Sequence, residues 1–343
     1  MKSNEIDSTE ISLLKSDPAT HSLKKKLLSE RYLIVVCGPT GIGKSKSALI
    51  LAKIFDTDLI SADSMQSYTG MNIGTDKQDF KKYGVKQFLL DICSPDHFLT
   101  SVEYRDAARK IIRTEFFDKG RIPLIAGGSG LHIRAIVDDL MEAPEGDHSL
   151  RKKIKDEISK TGLQCHYEKL KRVDCEYACK IKPNDERRII RAIEVYEITG
   201  KKYSSFQNKW QERKSVYNCI FIGLTMDRGR LYEKIEKRID MMLDTGLVDE
   251  IKQLIESGYK DCFSLQQAIG YKEIIKYFDG KLTLTDAVDE IKKNTRHLAK
   301  KQFTWFKADP RINWITVDNY ASIYNLIKEI LNIISRQVFD EKN

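Results

Sequence analysis

The chain of 343 residues is long enough for about two domains, and its 41% hydrophobic and 31% charged residues are ordinary proportions for a globular protein. It contains no run of about 18 apolar residues, so we expect no membrane-spanning segment. Seven cysteines, an odd number without clustered spacing, exclude a secreted disulfide framework and favour the reducing cytoplasm.

The N-terminal segment is polar and carries both charge signs. It lacks the apolar stretch of a signal peptide, and four acidic residues among the first seventeen are atypical of a transit peptide. We therefore expect residues 1–30 to form a mobile polar tail that contains a short helix over 22–31.

A phosphate-binding motif follows the first apolar run. Tyr32–Cys37 has the pattern of a buried parallel strand, and it leads into Gly-Pro-Thr-Gly-Ile-Gly-Lys-Ser at 38–45 and a helical pattern at 47–53. This is the P-loop motif in its strand–loop–helix context. Its amides and the helix N-terminus attract phosphate oxygens, while Lys44 adds a full charge and Ser45 is the expected Mg²⁺ ligand. The motif predicts a polyphosphate ligand without identifying it.

Three further apolar runs predict strands of the same sheet. The run 58–63 ends with Asp63, where a parallel strand delivers functional groups, and 122–126 leads into a glycine turn at 127–130. The third run, 219–224, follows much later. Alternating strands and helices predict an α/β fold: a P-loop NTPase-like doubly wound parallel sheet with a helical insertion domain.

Positive charge is concentrated in one stretch. Arg151–Lys214 has 18 Lys and Arg against 10 Asp and Glu, a balance of +8 that equals the formal charge of the whole chain. Such a stretch is typical of a nucleic-acid-binding surface and equally of a solvated helical surface. We expect an α/β catalytic core over 31–140 and 215–320, a basic helical insertion over 141–214, and a C-terminal helix with a tail over 321–343.

Asp91 and Arg238 each allow two interpretations. Asp91 ends the run Phe88–Asp91, which is either a Walker B strand near a metal or an ordinary strand end, and we favour the second. Arg238 shares a helix face with the apolar residues Leu231 and Ile235. A guanidinium on the core side requires an anion, which is either a core carboxylate or, with a P-loop in the same fold, a bound diphosphate.

Motifs from about Arg31 to Val317 occur in the order of one known family. They are the P-loop, Asp-Ser-Met-Gln at 63–66, Gly-Met-Asn-Ile-Gly-Thr-Asp-Lys at 70–77, Gly-Gly-Ser-Gly-Leu at 127–131, an Arg-Ile-Ile-Arg helix at 188–200, Gly-Leu-Val-Asp-Glu at 246–250, Gln-Ala-Ile-Gly-Tyr-Lys-Glu at 267–273 and a segment ending Gln-Phe-Thr-Trp-Phe at 295–306. With these motifs the chain resembles the bacterial tRNA dimethylallyltransferases, the IPP transferase family that modifies the adenosine 3′ of certain anticodons.

The resemblance implies transfer of a dimethylallyl group from dimethylallyl diphosphate to N6 of that adenosine, in tRNAs that read codons beginning with U. The P-loop then binds the diphosphate with Mg²⁺ as cofactor, and no ATP is hydrolysed. Asp63 either accepts the proton of the adenine amine or acts through the ligand shell of the Mg²⁺, Thr40 binds the diphosphate or its bridging oxygen, and Arg238 stabilises the leaving charge. The implied diphosphate-binding residues are Gly38, Pro39, Thr40, Gly41, Ile42, Gly43, Lys44 and Ser45.

The resemblance also gives the basic insertion a partner, the anticodon stem-loop of tRNA, and we expect the chain to act as a monomer. The glycine turn departs from the family pattern, because Ser129 and His132 stand where Thr and Tyr are usual. Ser129 keeps the hydroxyl, whereas His132 alters the packing around the substrate. The implied tRNA contacts are Asp63, Ser64, Met65, Gln66, Ser129, Arg151, Arg187, Arg188 and Arg191.

Three other functions fit part of the sequence. An adenylate dimethylallyltransferase of the cytokinin type would modify free AMP, ADP or ATP, a P-loop kinase would phosphorylate a small molecule, and a catalytically silent relative would only bind RNA. The long basic insertion favours tRNA over a free nucleotide, and the kinase leaves the segment 63–66 unexplained. Intact Lys44, Ser45 and Asp63 argue against a silent protein.

Overall fold

The chain forms two compact units. Unit 1 consists of the described residues up to Val137 and from Tyr217 onwards, and unit 2 is Asp138–Val216. Unit 2 therefore extends the expected insertion, 141–214, by a few residues at each end. The computed structural model describes residues 8–139, 144, 146–207 and 212–340.

Unit 1 is built on a six-stranded parallel sheet. Its strands are β1 (Tyr32–Cys37), β2 (Leu59–Ser61), β3 (Gln87–Phe88), β4 (Leu124–Gly127), β5 (Asn218–Thr225) and β6 (Ile312–Thr316). Their spatial order is β3-β2-β4-β1-β5-β6. Ile34 and Val36 of β1 belong to one apolar cluster, while Leu33 and Val35 belong to a second cluster on the other face. Both faces of the sheet are covered, which confirms the predicted doubly wound α/β fold.

Helices connect the strands and cover the sheet. One of them begins directly after the P-loop at Lys44, as the motif predicts. The described helices are α1 (Ser8–Ser16), α2 (Pro18–Ser29), α3 (Lys44–Phe55), α4 (Ser101–Ile111), α5 (Gly130–Val137), α6 (His148–Thr161), α7 (Leu163–Val173), α8 (Cys175–Lys180), α9 (Glu186–Thr199), α10 (Arg228–Asp244), α11 (Leu247–Glu256), α12 (Phe263–Gln267), α13 (Tyr271–Phe278), α14 (Leu284–Lys307) and α15 (Ile323–Phe339).

The N-terminal segment differs from the mobile tail that we expected over 1–30. Its described part forms α1 and α2, and Leu14, Leu23 and Leu27 are buried in the core of unit 1. The Asp17 carboxylate accepts a hydrogen bond from the Ala19 amide at 2.9 Å and so caps α2. The expectation failed because a narrow apolar stripe, at helical spacing among lysines, gives a polar average composition and still buries one helix face.

Unit 2 contains α6 to α9 around a separate apolar core that includes Ile154, Leu170 and Ile189. Its positive charge begins only at Arg151, because residues 138–147 contain five carboxylates and no Lys or Arg. The whole unit has 18 basic and 15 acidic residues, a balance of 18 − 15 = +3. The positive balance comes from α6 and α7, which together carry +5, and from residues 200–214, which carry +4, whereas α8 and α9 are each neutral.

The C-terminal helix α15 belongs to unit 1. It contacts α2, α3 and β5, and its residues Ile327 and Ile330 are fully buried. The expected tail beyond it lies partly outside the described residues. Among the helices that the structure describes, none has the length and apolar composition that a membrane crossing requires.

Candidate active site

Three neighbouring strands of unit 1 end at one cleft. β1 leads into the P-loop, β2 into Asp63 and β4 into the glycine turn, because the carboxyl ends of parallel strands share one edge of a sheet. The cleft has a volume of about 1120 Å³. Gly38, Pro39 and Ile42 belong to the P-loop without lining the cleft. The expected site residues that line it are Thr40, Gly41, Gly43, Lys44, Ser45, Asp63, Ser64, Met65, Gln66, Ser129 and Arg238.

The P-loop places a cation at the N-terminus of α3. Gly43, with a φ of 105°, is the N-cap of this helix, and such a backbone conformation favours glycine. The Lys44 ammonium donates to the Pro39 carbonyl at 2.8 Å and so lies within the loop. Burial and the nearby Arg238 lower the pKa of Lys44 to about 8, so the ammonium is still mostly protonated at neutral pH. The loop therefore presents positive charge to an anion.

Arg238 of α10 joins the P-loop to a carboxylate. Its Nη2 donates to the Thr40 hydroxyl at 2.7 Å, and its Nη1 pairs with Asp76 Oδ2 at 3.0 Å. The buried Nε has no hydrogen-bond partner among the described residues. Arg238 therefore has the carboxylate partner of the first interpretation and also keeps donor capacity for the anion of the second.

Asp63 lies in the cleft directly after β2. Its Oδ1 accepts a hydrogen bond from the Met65 amide at 3.1 Å and caps the short 3₁₀ turn Ser64–Ser67. Burial raises the pKa of Asp63, while the Met65 amide and the charges of Lys44 and Arg238 act in the opposite direction. A carboxylate with a raised pKa is a stronger base, which suits proton transfer near neutral pH.

Gln66 is held at both ends of its amide. Its Oε1 accepts from the Ser61 hydroxyl at 2.8 Å, and its Nε2 donates to the Thr75 carbonyl at 3.0 Å. These bonds attach the segment after β2 to the loop that carries Asp76. The expected contact between Gln66 and a target base therefore competes with partners that the protein already supplies.

His132 determines the surroundings of Ser129. Its Nδ1 lies 2.5 Å from the Ser129 hydroxyl, and its ring packs edge-on against Tyr104 with centroids 4.7 Å apart. Burial lowers the pKa of His132 to about 4, so the imidazole is neutral at pH 7. The unprotonated nitrogen of a neutral imidazole can accept a hydrogen bond from the Ser129 hydroxyl, and this fixes the direction of the Ser129 side chain.

The sequence did not predict the hydrogen-bonding roles of two polar residues near the cleft, Glu250 and Gln302. Glu250 accepts from three backbone amides of the loop 72–74, at 2.9, 2.7 and 3.3 Å, and from the Tyr271 hydroxyl at 2.6 Å. Gln302 of α14 contacts the P-loop backbone. Both belong to motifs that carried the resemblance, but their partners lie 177 and 262 residues away along the chain, so no local pattern could identify their role.

The basic candidates of unit 2 fall into two groups. Arg151 and Arg191 contact the fully buried carboxylate of Glu194 at 2.8 and 2.6 Å. These two guanidinium groups balance a charge inside the unit. Arg187 and Arg188 are exposed on the first turn of α9, and although Arg188 pairs with Asp185 at 3.2 Å, an external anion can reach both guanidinium groups.

A metal ion would depend on few protein ligands. Asp91 lies outside the cleft, three residues after the end of β3, and pairs with Lys77 at 2.5 Å, so its surroundings are not those of a Walker B carboxylate. Within the described ranges, no group of three or more His, Cys, Asp and Glu side chains could hold a metal. Ser45 lines the cleft at the start of α3, and Mg²⁺ needs little more, because it keeps waters and takes phosphate oxygens from its substrate. The residues present therefore fit a metal that arrives with a diphosphate.

The fold and the cleft define an α/β protein of the P-loop class in which the cations Lys44 and Arg238 share a cleft with the carboxylate of Asp63. The model of the IPP transferase family matches residues 66–309. The tRNA dimethylallyltransferase of Anoxybacillus flavithermus is 39% identical over 317 residues, which cover 91% of this chain and 98% of that relative. The corresponding protein of Thermoanaerobacter sp. is 42% identical over 307 residues, with coverages of 88% and 97%. The chain belongs to the IPP transferase family.

Solved structures agree with this assignment. The tRNA isopentenylpyrophosphate transferase of Bacillus halodurans superposes with a TM-score of 0.67 at 37% identity, covering 91% of this chain and 98% of that one. A eukaryotic dimethylallyltransferase acting on tRNA superposes with a TM-score of 0.73 at 27% identity, covering 87% of this chain and 77% of that one. The predicted family is therefore confirmed by sequence and by fold.

Proposed function

We propose that the chain transfers a dimethylallyl group from dimethylallyl diphosphate to N6 of the adenosine 3′ of the anticodon, in tRNAs that read codons beginning with U. Its membership of the family and the activity named for its relatives support prenyl transfer to tRNA. The observation that carries the proposal is a single cleft that holds the P-loop cation, Arg238 and the carboxylate of Asp63. A leaving diphosphate and an attacking amine need these groups together.

The first requirement of the reaction is that groups of the protein stabilise the departing diphosphate. The Lys44 ammonium and the Arg238 guanidinium, both of residues that line the cleft, are donors available to it together with P-loop amides. The Thr40 hydroxyl accepts a hydrogen bond from Arg238 beside these donors, and we assign it to contact the diphosphate or its bridging oxygen. Mg²⁺, held by Ser45, supplies further charge neutralisation when it is bound. Charge on the diphosphate grows as the bond from C1 to oxygen breaks, and fixed donors favour that change.

The second requirement of the reaction is that the attacking adenine amine loses a proton. The adenine N6 forms a bond to the allylic C1, the bond from C1 to the diphosphate oxygen breaks, and its electron pair leaves with the diphosphate. The proton lost from N6 passes to Asp63. The raised pKa of Asp63 makes this carboxylate a better acceptor than an exposed aspartate.

Recognition of tRNA draws on residues of both units. The target base must leave its stack to reach a buried carboxylate. Exposed Arg187 and Arg188 take backbone phosphates, and Arg151 and Arg191 contribute less because Glu194 already engages them. The residues proposed to surround the target base are Ser64, Met65, Gln66 and Ser129.

We further propose that the chain acts as a cytoplasmic monomer. Every residue assigned to the reaction comes from one chain, so no second copy is required. Sedimentation at assay concentrations is expected to give a mass near 39.6 kDa. A dimer that persists on dilution would overturn this part of the proposal.

The function is tested with labelled dimethylallyl diphosphate and Mg²⁺, offered with unmodified tRNA in one reaction and with AMP, ADP or ATP in others. We expect label on tRNA alone, at the adenosine 3′ of the anticodon. Asp63→Ala should abolish transfer, whereas the matched variant Asp91→Ala, outside the cleft, should retain it.

Each other outcome identifies a different function. Label on a free nucleotide would assign the adenylate-modifying activity and remove the role of the basic helices. No label together with consumption of ATP and a small-molecule acceptor would assign a kinase. No chemistry together with tRNA binding would leave a silent RNA-binding protein.

A further inference from the structure

The carboxamide of Gln302 connects two loops of the cleft. Its Oε1 accepts the backbone N–H of Thr40 at 2.8 Å, and its Nε2 donates to the Gly128 carbonyl at 3.0 Å. One contact is to the P-loop and the other is to the glycine turn. An uncharged amide offers an acceptor and a donor on one planar group, which two opposite backbone partners require.

The surrounding geometry is adapted to this side chain. A Cβ at Gly128 would lie 2.5 Å from Gln302 Nε2, so a larger residue there would displace the end of this side chain from its present position. Leu298 and Trp305, four residues before and three after Gln302, also line the cleft. These positions share one face of α14, so the helix presents the amide to the site rather than to the core.

The bridge joins the two halves of the proposed reaction. Thr40, on the donor side, also receives the hydrogen bond of Arg238, and Gly128 directly precedes Ser129 on the acceptor side. A shift of about 1 Å between reacting groups can lower a rate by about a hundredfold. A residue that fixes these loops against each other therefore controls the approach of the two substrates.

We propose that Gln302 is a positioning residue that holds the P-loop at a fixed distance from the glycine turn, and thereby sets the separation of the allylic carbon from the adenine amine. The identity of those substrates rests on the proposed function. The hydrogen-bonded bridge itself does not depend on it.

The test compares Gln302→Met, which keeps the length of the side chain and removes both polar atoms, with Gln302→Glu, which keeps the acceptor and loses the donor. Thr304→Val, at an exposed position of the same helix, is the matched control. We expect Gln302→Met to lower kcat by about 30–100-fold while KM for tRNA changes by less than about twofold. Gln302→Glu should lose a similar factor, because its carboxylate faces the Gly128 carbonyl.

Hydrogen exchange of the Thr40 amide provides a readout that does not require catalysis. We expect faster exchange in Gln302→Met and wild-type exchange in Thr304→Val. Unchanged exchange, or a wild-type kcat in both Gln302 variants, would overturn the inference. A loss that appears only as a higher KM for tRNA would also overturn it. If the wild-type protein transfers no prenyl group but the Thr40 amide exchanges faster in Gln302→Met, the bridge is supported and the proposed function fails.

Discussion

Arginine side chains have different roles in the two compact units. In unit 2, Arg151 and Arg191 converge on Glu194, a fully buried carboxylate that also accepts a backbone amide. In the cleft of unit 1, Arg238 pairs with Asp76, but its Nε has no partner among the described residues. The first arrangement compensates a buried charge, and the second leaves a donor for a ligand. The family resemblance assigned all three arginines to substrate anions, and only their hydrogen-bond partners in the structure distinguish their roles.

The largest expected effect is at the carboxylate of the cleft. Asp63→Asn should lower kcat by about 10³-fold, because the amide cannot accept a proton. The variant should keep or raise Tm. Burial places the folded-state pKa of Asp63 above its unfolded value, so ionisation at neutral pH destabilises the folded state, and an amide removes that cost. Single-turnover rates and thermal unfolding at pH 7 measure both quantities. A fall in Tm of more than about 5 °C would instead indicate a structural role.

In unit 2, loss of the Glu194 carboxylate is expected to lower the free energy of unfolding and to leave ligand binding in the cleft unchanged. Glu194→Gln leaves Arg151 and Arg191 without their carboxylate, and breaking a buried ion pair from one side typically costs about 3–5 kcal/mol. Urea unfolding should show this loss, while the affinity of the cleft for inorganic pyrophosphate stays within about twofold of the wild type. A loss below about 1 kcal/mol would show that the two arginines do not depend on Glu194.

Arg238 is expected to act through the leaving group. Arg238→Gln should lower kcat/KM for dimethylallyl diphosphate by about 10²–10³-fold, the typical loss when a fixed donor to a developing negative charge is removed. KM for tRNA should change little. Arg296→Gln is the matched control. Arg296, on α14, pairs with Glu236 of α10, the helix that carries Arg238, and it does not line the cleft. Equal losses in both variants would contradict a specific role of Arg238.

The smallest expected effect is at the exposed arginines of α9. Replacing Arg187 and Arg188 together by Ala should weaken tRNA binding by about tenfold without changing kcat. The slope of log K against log salt concentration should become shallower by about two, which corresponds to the loss of two phosphate contacts. The control replaces exposed Lys252 and Lys328 by Ala. An unchanged salt dependence in the arginine variant would remove α9 from the tRNA surface and weaken the distinction from Arg151 and Arg191.

Prediction from the sequence succeeded where the signal is local. The P-loop, the strand that leads to Asp63 and the α10 face that carries Arg238 each follow from residues within a few turns of one another. The helix expected over 22–31 overlaps α2, but α1 and the burial of both helices were missed, because averaging over a lysine-rich segment concealed the apolar stripe of Leu14, Leu23 and Leu27. The excess of positive charge does lie within 151–214, but five preceding carboxylates reduce the net charge of unit 2.

The sequence by itself determined the α/β class, the phosphate-binding loop, the family and the residue types of the cleft, since motif and periodicity act over short stretches of chain. Only the tertiary structure decided which charges are already paired and which groups hold the loops in place. Glu250 supports the loop 72–74 and Gln302 bridges the P-loop and the glycine turn. Their partners lie far away in the chain, and a hydrogen bond depends on separations of a few tenths of an ångström that only the packed fold sets.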